Sequence, residues 1–294
     1  MRINWKNALV LSCSLLAVAG TASAKDRTAE GSADTPRIIY FPAQGVQGAA
    51  ADRHLVAKAT NITNHGGPVI TAARVVFIFW GPTFANAANA DHTYATNLQS
   101  FRNQFGTNGE YNTITQYCGS NGCIGLTNLA AGTADFFDTA APPTNVTDSA
   151  VRGEVNKYLQ THTKGNNTIY EVVIPRTSFS SSGSSTSCGG PGLAYCAYHS
   201  WIGSGTTATK YSIQPYPSCT GCQVSGWSDV QDQEHFVTHE TREAVTDPTG
   251  STWFDSSGAE ADDKCAWSPT PFLSGGFGYQ WEWSNANGGC IQTR

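Results

Sequence analysis

Residues 234–247 read Glu-His-Phe-Val-Thr-His-Glu-Thr-Arg-Glu-Ala-Val-Thr-Asp and contain the pattern His239-Glu240-x-x-Glu243. A helical residue turns by about 100°, so His239 and Glu243 stand about 40° apart, one turn from each other on the same stripe. An imidazole and a carboxylate so placed can grip one divalent ion. Glu240 is offset from His239 by about 100°, which suits a general base acting on a water held by the metal better than a third ligand. His235 lies one turn upstream on the stripe as a possible accessory group, while Val230, Val237 and Ala244 mark the opposite, apolar side. Catalytic zinc keeps three protein ligands and an open position. The third must therefore come from elsewhere, and Glu260-Ala-Asp-Asp263-Lys-Cys265 offers Glu260 and Asp263, 17 and 20 residues past Glu243. His199, in Cys196-Ala-Tyr-His-Ser200, is a further accessory candidate.

The order of these residues resembles that of the gluzincin peptidases, in which H-E-x-x-H is followed about a score of residues later by Glu. Here Glu243 replaces the second His. A His/Glu/Glu set still suits zinc, and its harder, more anionic character also admits Mn²⁺ or Ca²⁺. The competing interpretation is a solvated helix whose Glu240 and Glu243 simply pair with Arg242 or a neighbouring Lys, and in that setting His199 would be a structural histidine at a strand edge.

The positioning elements follow from hydrophobic patterning. Asp229 to Thr246 reads as a helix stopped by Asp247-Pro248. Arg74 to Trp80 is a continuous β-branched and aromatic run, as in a strand buried on both faces. Strands are also expected over 169–174, 194–201 and 210–215. Helices are expected over 91–105 and from Thr147, as cap, to Leu159. Ser178 to Ser187 is a Ser/Gly/Thr loop. The resulting fold class is α+β: a mixed sheet with packed helices, zincin-like, in one disulfide-bonded domain over 65–294.

Ahead of that domain, Arg2 and Lys6, an apolar stretch from Ala8 to Ala19 and Ala22-Ser23-Ala24 read as a signal peptide over 1–24. Residues 25–64 lack periodicity and read as a flexible N-terminal extension or pro-segment. The chain is thus expected to be secreted, extracellular or periplasmic. Charged residues are 13% of its 294, against about 25% in ordinary globular proteins. Eight Trp, eleven Tyr and thirteen Phe nevertheless provide for a sizeable core, so disorder is excluded. A net charge of −5 argues against nucleic acid as a partner, and no segment beyond the signal is long enough to span a membrane. A monomer is expected. Cys13 leaves with the signal. The other eight cysteines allow 105 pairings, and their clustering favours four local bridges: Cys118–Cys123, Cys188–Cys196, Cys219–Cys222 and Cys265–Cys290.

Several stretches together resemble the EXORDIUM/phosphate-induced protein family of plant cell walls and exported bacterial homologues. They are His65-Gly-Gly-Pro-Val-Ile70, Cys196-Ala-Tyr-His-Ser200, His239-Glu-Thr-Arg-Glu-Ala-Val-Thr-Asp-Pro248, Trp253-Phe-Asp255 and Glu260-Ala-Asp-Asp-Lys-Cys265. The resemblance spans roughly 65–290 and departs from the family pattern at Ala197 and at the 219–222 spacing. It implies an extracellular or wall-associated protein and brings no defined chemistry with it.

Two functions are compatible with these readings. One is a metal-dependent hydrolase, a metalloprotease-like enzyme with a zinc ion, Glu240 as base and a peptide or cell-wall substrate. The other is a non-catalytic, carbohydrate-binding wall protein with a structural metal, whose tail aromatics Trp253, Trp267, Tyr279, Trp281 and Trp283 would stack on sugars. The alternation of 279, 281 and 283 equally suits one buried face of a strand. No G-x-S-x-G is present to support a serine hydrolase.

Overall fold

Arg74–Trp80 is buried at every position after Arg74 and occupies the interior of a six-stranded sheet. A computed structural model describes residues 37–46 and 60–294. The signal-peptide reading of 1–24, and the extension over 25–36 and 47–59, lie outside the described residues. In chain order the sheet strands are β1 (Ile39–Pro42), β2 (Arg74–Trp80), β3 (Phe136–Asp138), β4 (Thr168–Val173), β5 (Tyr195–Ile202) and β6 (Thr209–Gln214). Their spatial order is β1-β5-β6-β4-β2-β3. β6, β4, β2 and β3 run parallel, β5 is antiparallel to β6, and β1 is antiparallel to β5. The sheet is therefore mixed, and the chain is an α+β, disulfide-bonded structure.

Three long helices cover the two faces. α1 (Ala90–Phe105) and α3 (Asp229–Thr246) lie on one side, where Tyr94, Leu98, Phe101, Val237 and Ala244 share a core with Phe77, Phe79, Ile169 and Val173. α2 (Asp148–Leu159) lies on the other, where Val151, Val155 and Tyr158 meet Val76, Ile78, Tyr170 and Val172. Thr147 caps α2 by accepting the Ala150 N–H. α3 begins with a reciprocal cap: Ser228 accepts from the Gln231 N–H, and Gln231 accepts from the Ser228 N–H. The expected strands at 74–80, 169–174, 194–201 and 210–215 and the three expected helices lie within a residue of β2, β4, β5, β6 and α1–α3, whereas β1 and β3 were not anticipated.

The Ser178–Ser187 stretch, read as a loop, instead forms the paired strands Phe179–Ser182 and Ser185–Thr186, held by main-chain pairing that its Ser/Gly/Thr composition does not signal. Two further expectations are corrected. The first concerns part of the 25–64 segment, read as flexible: β1 is a paired edge strand, Phe41 is fully buried, and Ile62 joins the main core. This stretch is short and flanked by Ala, Gly and Asp, so its composition conceals a strand held by main-chain pairing with β5. The second concerns two of the four bridges. Cys118–Cys123 and Cys265–Cys290 form as expected, but the others are Cys188–Cys219 and Cys196–Cys222. Cys219 and Cys222 flank one 3₁₀ turn, from which Cys222 reaches β5 while Cys219 reaches the Ser-rich loop. Cys196–Cys222 thus binds that turn, just ahead of α3, to the strand that carries His199, and Cys188–Cys219 binds it to the segment before that strand. Neighbours in sequence are separated here because the turn lies across two other segments.

The tail folds back as short hairpins, Phe272–Ser274 with Phe277–Tyr279 and Glu282–Ser284 with Gly289–Ile291. Tyr279 and Trp283 belong to the core, while Trp281 is half-buried against it. No helix among the described residues is long and apolar enough to cross a membrane.

Candidate metal centre

Every α3 residue from Asp232 to Thr246 is buried, including the His/Glu stripe. The stripe is therefore not the face of a solvated helix. It is enclosed because the surrounding elements present polar groups to it. From the sheet, Glu171 accepts hydrogen bonds from Thr241 and Gln214, and Ser212 also donates to it. Gln233 of α3 donates to Gln214 at 2.6 Å and accepts from the Tyr94 hydroxyl at 2.7 Å. A polar helix face can be buried when its partners satisfy it in this way.

Arg242 does not pair with Glu240 or Glu243. Its fully buried guanidinium contacts Asp262 and Glu282 and donates to the Glu110 and Gln280 carbonyls. That network fixes the 260–265 loop and the tail against α3, and it leaves the motif carboxylates without a cationic partner from Arg242.

The remaining groups converge. His239 Nε2 lies 3.2 Å from Glu243 Oε2 and 3.9 Å from Asp263 Oδ1. His199 comes in from β5: its Nδ1 is 2.9 Å from Glu240 Oε2 and 3.5 Å from Glu243 Oε2, and its Nε2 is 3.9 Å from Glu260 Oε1. Two overlapping ligand groups result, His199/Glu243/Glu260 and His239/Glu240/Glu243, each with donor atoms within 4.8 Å of one another. None of these five residues is more than 1% exposed. Ligand atoms of a tetrahedral zinc with bonds of about 2.0–2.2 Å lie about 3.3–3.6 Å apart. The 3.2 Å separation of His239 Nε2 from Glu243 Oε2 is close to that spacing, whereas the His199 nitrogen nearest Glu243, Nδ1, is engaged by Glu240.

Gln280, which sequence reasoning missed, sets the histidine tautomer. Its Nε2 donates to the main-chain oxygen of Asp262 at 2.7 Å and to Oδ1 at 3.0 Å; since both can only accept, the amide orientation is fixed. Gln280 Oε1 then faces His235 Nε2 and His239 Nδ1, each at 3.2 Å. An amide oxygen can only accept, so His239 donates from Nδ1. In the neutral ring its Nε2 lone pair is aimed at a carboxylate, the arrangement metal-ligating histidines adopt. A signal for Gln280 was present in the sequence: read as one strand, the 279/281/283 aromatic alternation sets Gln280 and Glu282 together on its other face, and both are fully buried, although the chain leaves the strand between Tyr279 and Glu282.

Polar atoms without a hydrogen-bond partner gather at this point: His199 Nε2, His239 Nε2, Glu240 Oε1, Glu243 Oε2 and both Glu260 oxygens. Burial, first among the causes, holds the Glu240, Glu243 and Glu260 carboxyls well above the usual carboxylate range, and neighbouring carboxylates add to it. Burial lowers His199 to about 3, with the nearby His239 and Arg37 adding to the effect. A divalent cation would reverse the carboxylate penalty and supply the missing partner. The donor atoms thus fit such an ion as two triads that share Glu243, His199/Glu243/Glu260 and His239/Glu240/Glu243, with Asp263 at the rim, where its side chain is 13% exposed. His235 stands apart, its ring among Phe41, Phe236 and Trp267 and its titration lowered by burial to about 3.

Glu234 is separate from the cluster and yields a pH prediction. It accepts from the Gly278 N–H at 2.8 Å, and burial raises it to about 8, against about 4.3 in an unfolded chain. The folded state therefore holds the proton more tightly. This contribution to stability is complete below pH ~4.3 and is lost as pH rises through about 8. Urea unfolding of Glu234→Gln should show a shallower loss of stability between pH 5 and 8 than the unsubstituted protein. Equal slopes would place the titration elsewhere.

Comparison with protein-family models, with curated proteins and with solved structures finds no match to this chain.

Proposed function

We propose that the protein is a secreted, zincin-like metal-dependent hydrolase, a zinc peptidase, in which His239, Glu243 and Glu260 hold the ion with His199 beside them. The observation that carries this reading is that His239 Nε2 and Glu243 Oε2, 3.2 Å apart in a buried site, both lack a hydrogen-bond partner. Two acceptors facing each other in low dielectric call for a cation. A bound zinc ion would supply Lewis-acid polarisation of a scissile carbonyl and lower the pKa of a water. Glu240, with one oxygen on His199 Nδ1 and the other unpartnered, is placed to take and return a proton. Gln280 holds His239 in its ligating tautomer. The signal-peptide pattern and the resemblance to the EXORDIUM family support an exported setting, and the four disulfides fit an oxidising compartment.

One observation favours a second reading, a non-catalytic extracellular protein braced by a structural ion: the whole ligand set is buried, and closed sites are the mark of structural metals. The sugar-stacking version of that reading loses its aromatic stripe, because Tyr279 and Trp283 lie in the core.

Metal analysis of the purified protein tests the ion common to both readings. About one equivalent of zinc is expected. Less than about a tenth of an equivalent of zinc, manganese or calcium, even after add-back, would overturn it.

A further inference from the structure

The edge strand β1 lies directly against this site. It pairs antiparallel with β5, placing Ile39 opposite His199 and Phe41 opposite Ala197. Its side chains alternate. Phe41 points to α3, with ring centroids 4.4 Å from His239 and 5.1 Å from both His235 and Trp267. Tyr40 points the other way, 4.9 Å from Tyr195 and 5.9 Å from Tyr198. Most of the polar contacts that hold the segment use its main chain. Ala43 N donates to Ala194 O at 3.1 Å, Gln44 N to Gly221 O at 2.7 Å, Trp267 Nε1 to Pro42 O at 2.8 Å, and Ser200 Oγ to Arg37 O at 2.7 Å. Such contacts accept any extended chain whatever its sequence, with side-chain pockets adding selectivity, as in recognition by strand addition. All four disulfides join residues from 118 onward, so no cross-link ties 37–46 to the rest.

We infer that the outer edge of β5 is a binding rim for an extended peptide with an aromatic or aliphatic side chain facing α3, and that Arg37–Val46 fills this rim as an occupant in cis. The inference rests on the peptidase reading for what the rim serves, but not for whether the rim binds. It also accounts for the buried site. A centre that acts on another molecule must be reached, and the element covering His239 from the β5 side is the one without a cross-link. Phe41 marks the selective pocket, formed by His235, Phe236, His239 and Trp267. Arg37, whose Nη1 donates to Gly250 O at 3.0 Å, marks a position for a basic residue two before the one that faces His199.

The test begins with the folded full chain, with a recognition site for a sequence-specific protease placed within 47–59. After cleavage, a labelled synthetic peptide of residues 37–46 is added and its incorporation is followed by fluorescence anisotropy. The cut protein should take up the peptide while the uncut protein does not. A peptide carrying Phe41→Ala should bind at least ~10-fold more weakly, as for loss of a buried aromatic anchor. Zinc removal by a chelator should be at least ~10-fold faster once the segment is washed away, and adding peptide back should slow it again. The inference is overturned if the cut protein takes up no peptide, or if the body loses its near-UV circular dichroism when the segment leaves, which would make β1 an ordinary structural strand. Mass spectrometry of the recovered peptide separates the two claims: a peptide bound but never cut counts against the hydrolase and leaves the rim standing.

Discussion

His239→Ala should reduce the bound metal from about one equivalent to below about a tenth and lower the melting temperature by roughly 8–16 °C. The second figure follows from linkage. A ligand present at a thousand times its dissociation constant adds about 4 kcal/mol to the folded state, and about 2–4 °C accompanies each kcal/mol in a body of this size. Geometry explains why this substitution dominates. His239 Nε2 is the neutral donor closest to Glu243 Oε2, and Glu243 belongs to both ligand groups. With the imidazole gone, the carboxylates are left to repel one another in a dry site. Packing alone predicts something different. His239 also lies against Phe41, with ring centroids 4.4 Å apart, and the loss of that contact would persist without metal. Calorimetry of both proteins with and without chelator separates the causes: the difference should nearly vanish when both are metal-free. A difference of the same size in the chelated pair would assign the effect to packing and remove the ion from the account.

The features legible in the sequence were those governed by local periodicity. α3 declared itself through its Val230/Val237/Ala244 side and the Asp247-Pro248 stop; β2 did so through an uninterrupted apolar run. The i, i+4 pair His239 and Glu243 required only helical geometry, and it is brought together as expected. What remained hidden depends on chain-distant pairing. His199 was only an accessory candidate, since nothing local shows that β5 borders α3 and directs that ring at Glu240 and Glu243. The Cys188–Cys219 and Cys196–Cys222 bridges depend on where one 3₁₀ turn lies. The burial of the polar stripe could not be anticipated from α3 alone, because Glu171 and Gln214 from the sheet and Gln280 from the tail supply the partners that make it tolerable.

Glu240→Gln separates a catalytic centre from a braced one. Gln has nearly the size and helix propensity of Glu. Its carbonyl can still accept from His199 Nδ1, the 2.9 Å contact Glu240 makes. Fold and metal content should therefore persist. What disappears is the ability to take a proton, which in general acid–base catalysis contributes about 10²–10⁴-fold. On whichever peptide substrate the unsubstituted protein cleaves, the variant should be slower by at least ~10²-fold while its metal content and melting temperature stay near the original values. Glu240 Oε1 has no hydrogen-bond partner, so the substitution breaks no hydrogen bond within the protein at that oxygen. If the ion only braces the 253–265 loop against α3, His239→Ala destabilises the protein whereas Glu240→Gln leaves every measurable property unchanged. A Glu240→Gln protein that retains full metal and full turnover would eliminate Glu240 as the base. The pair of histidines and the glutamates around Glu243 would then stand as the anchor of an extracellular protein whose chemistry, if any, lies elsewhere on the chain.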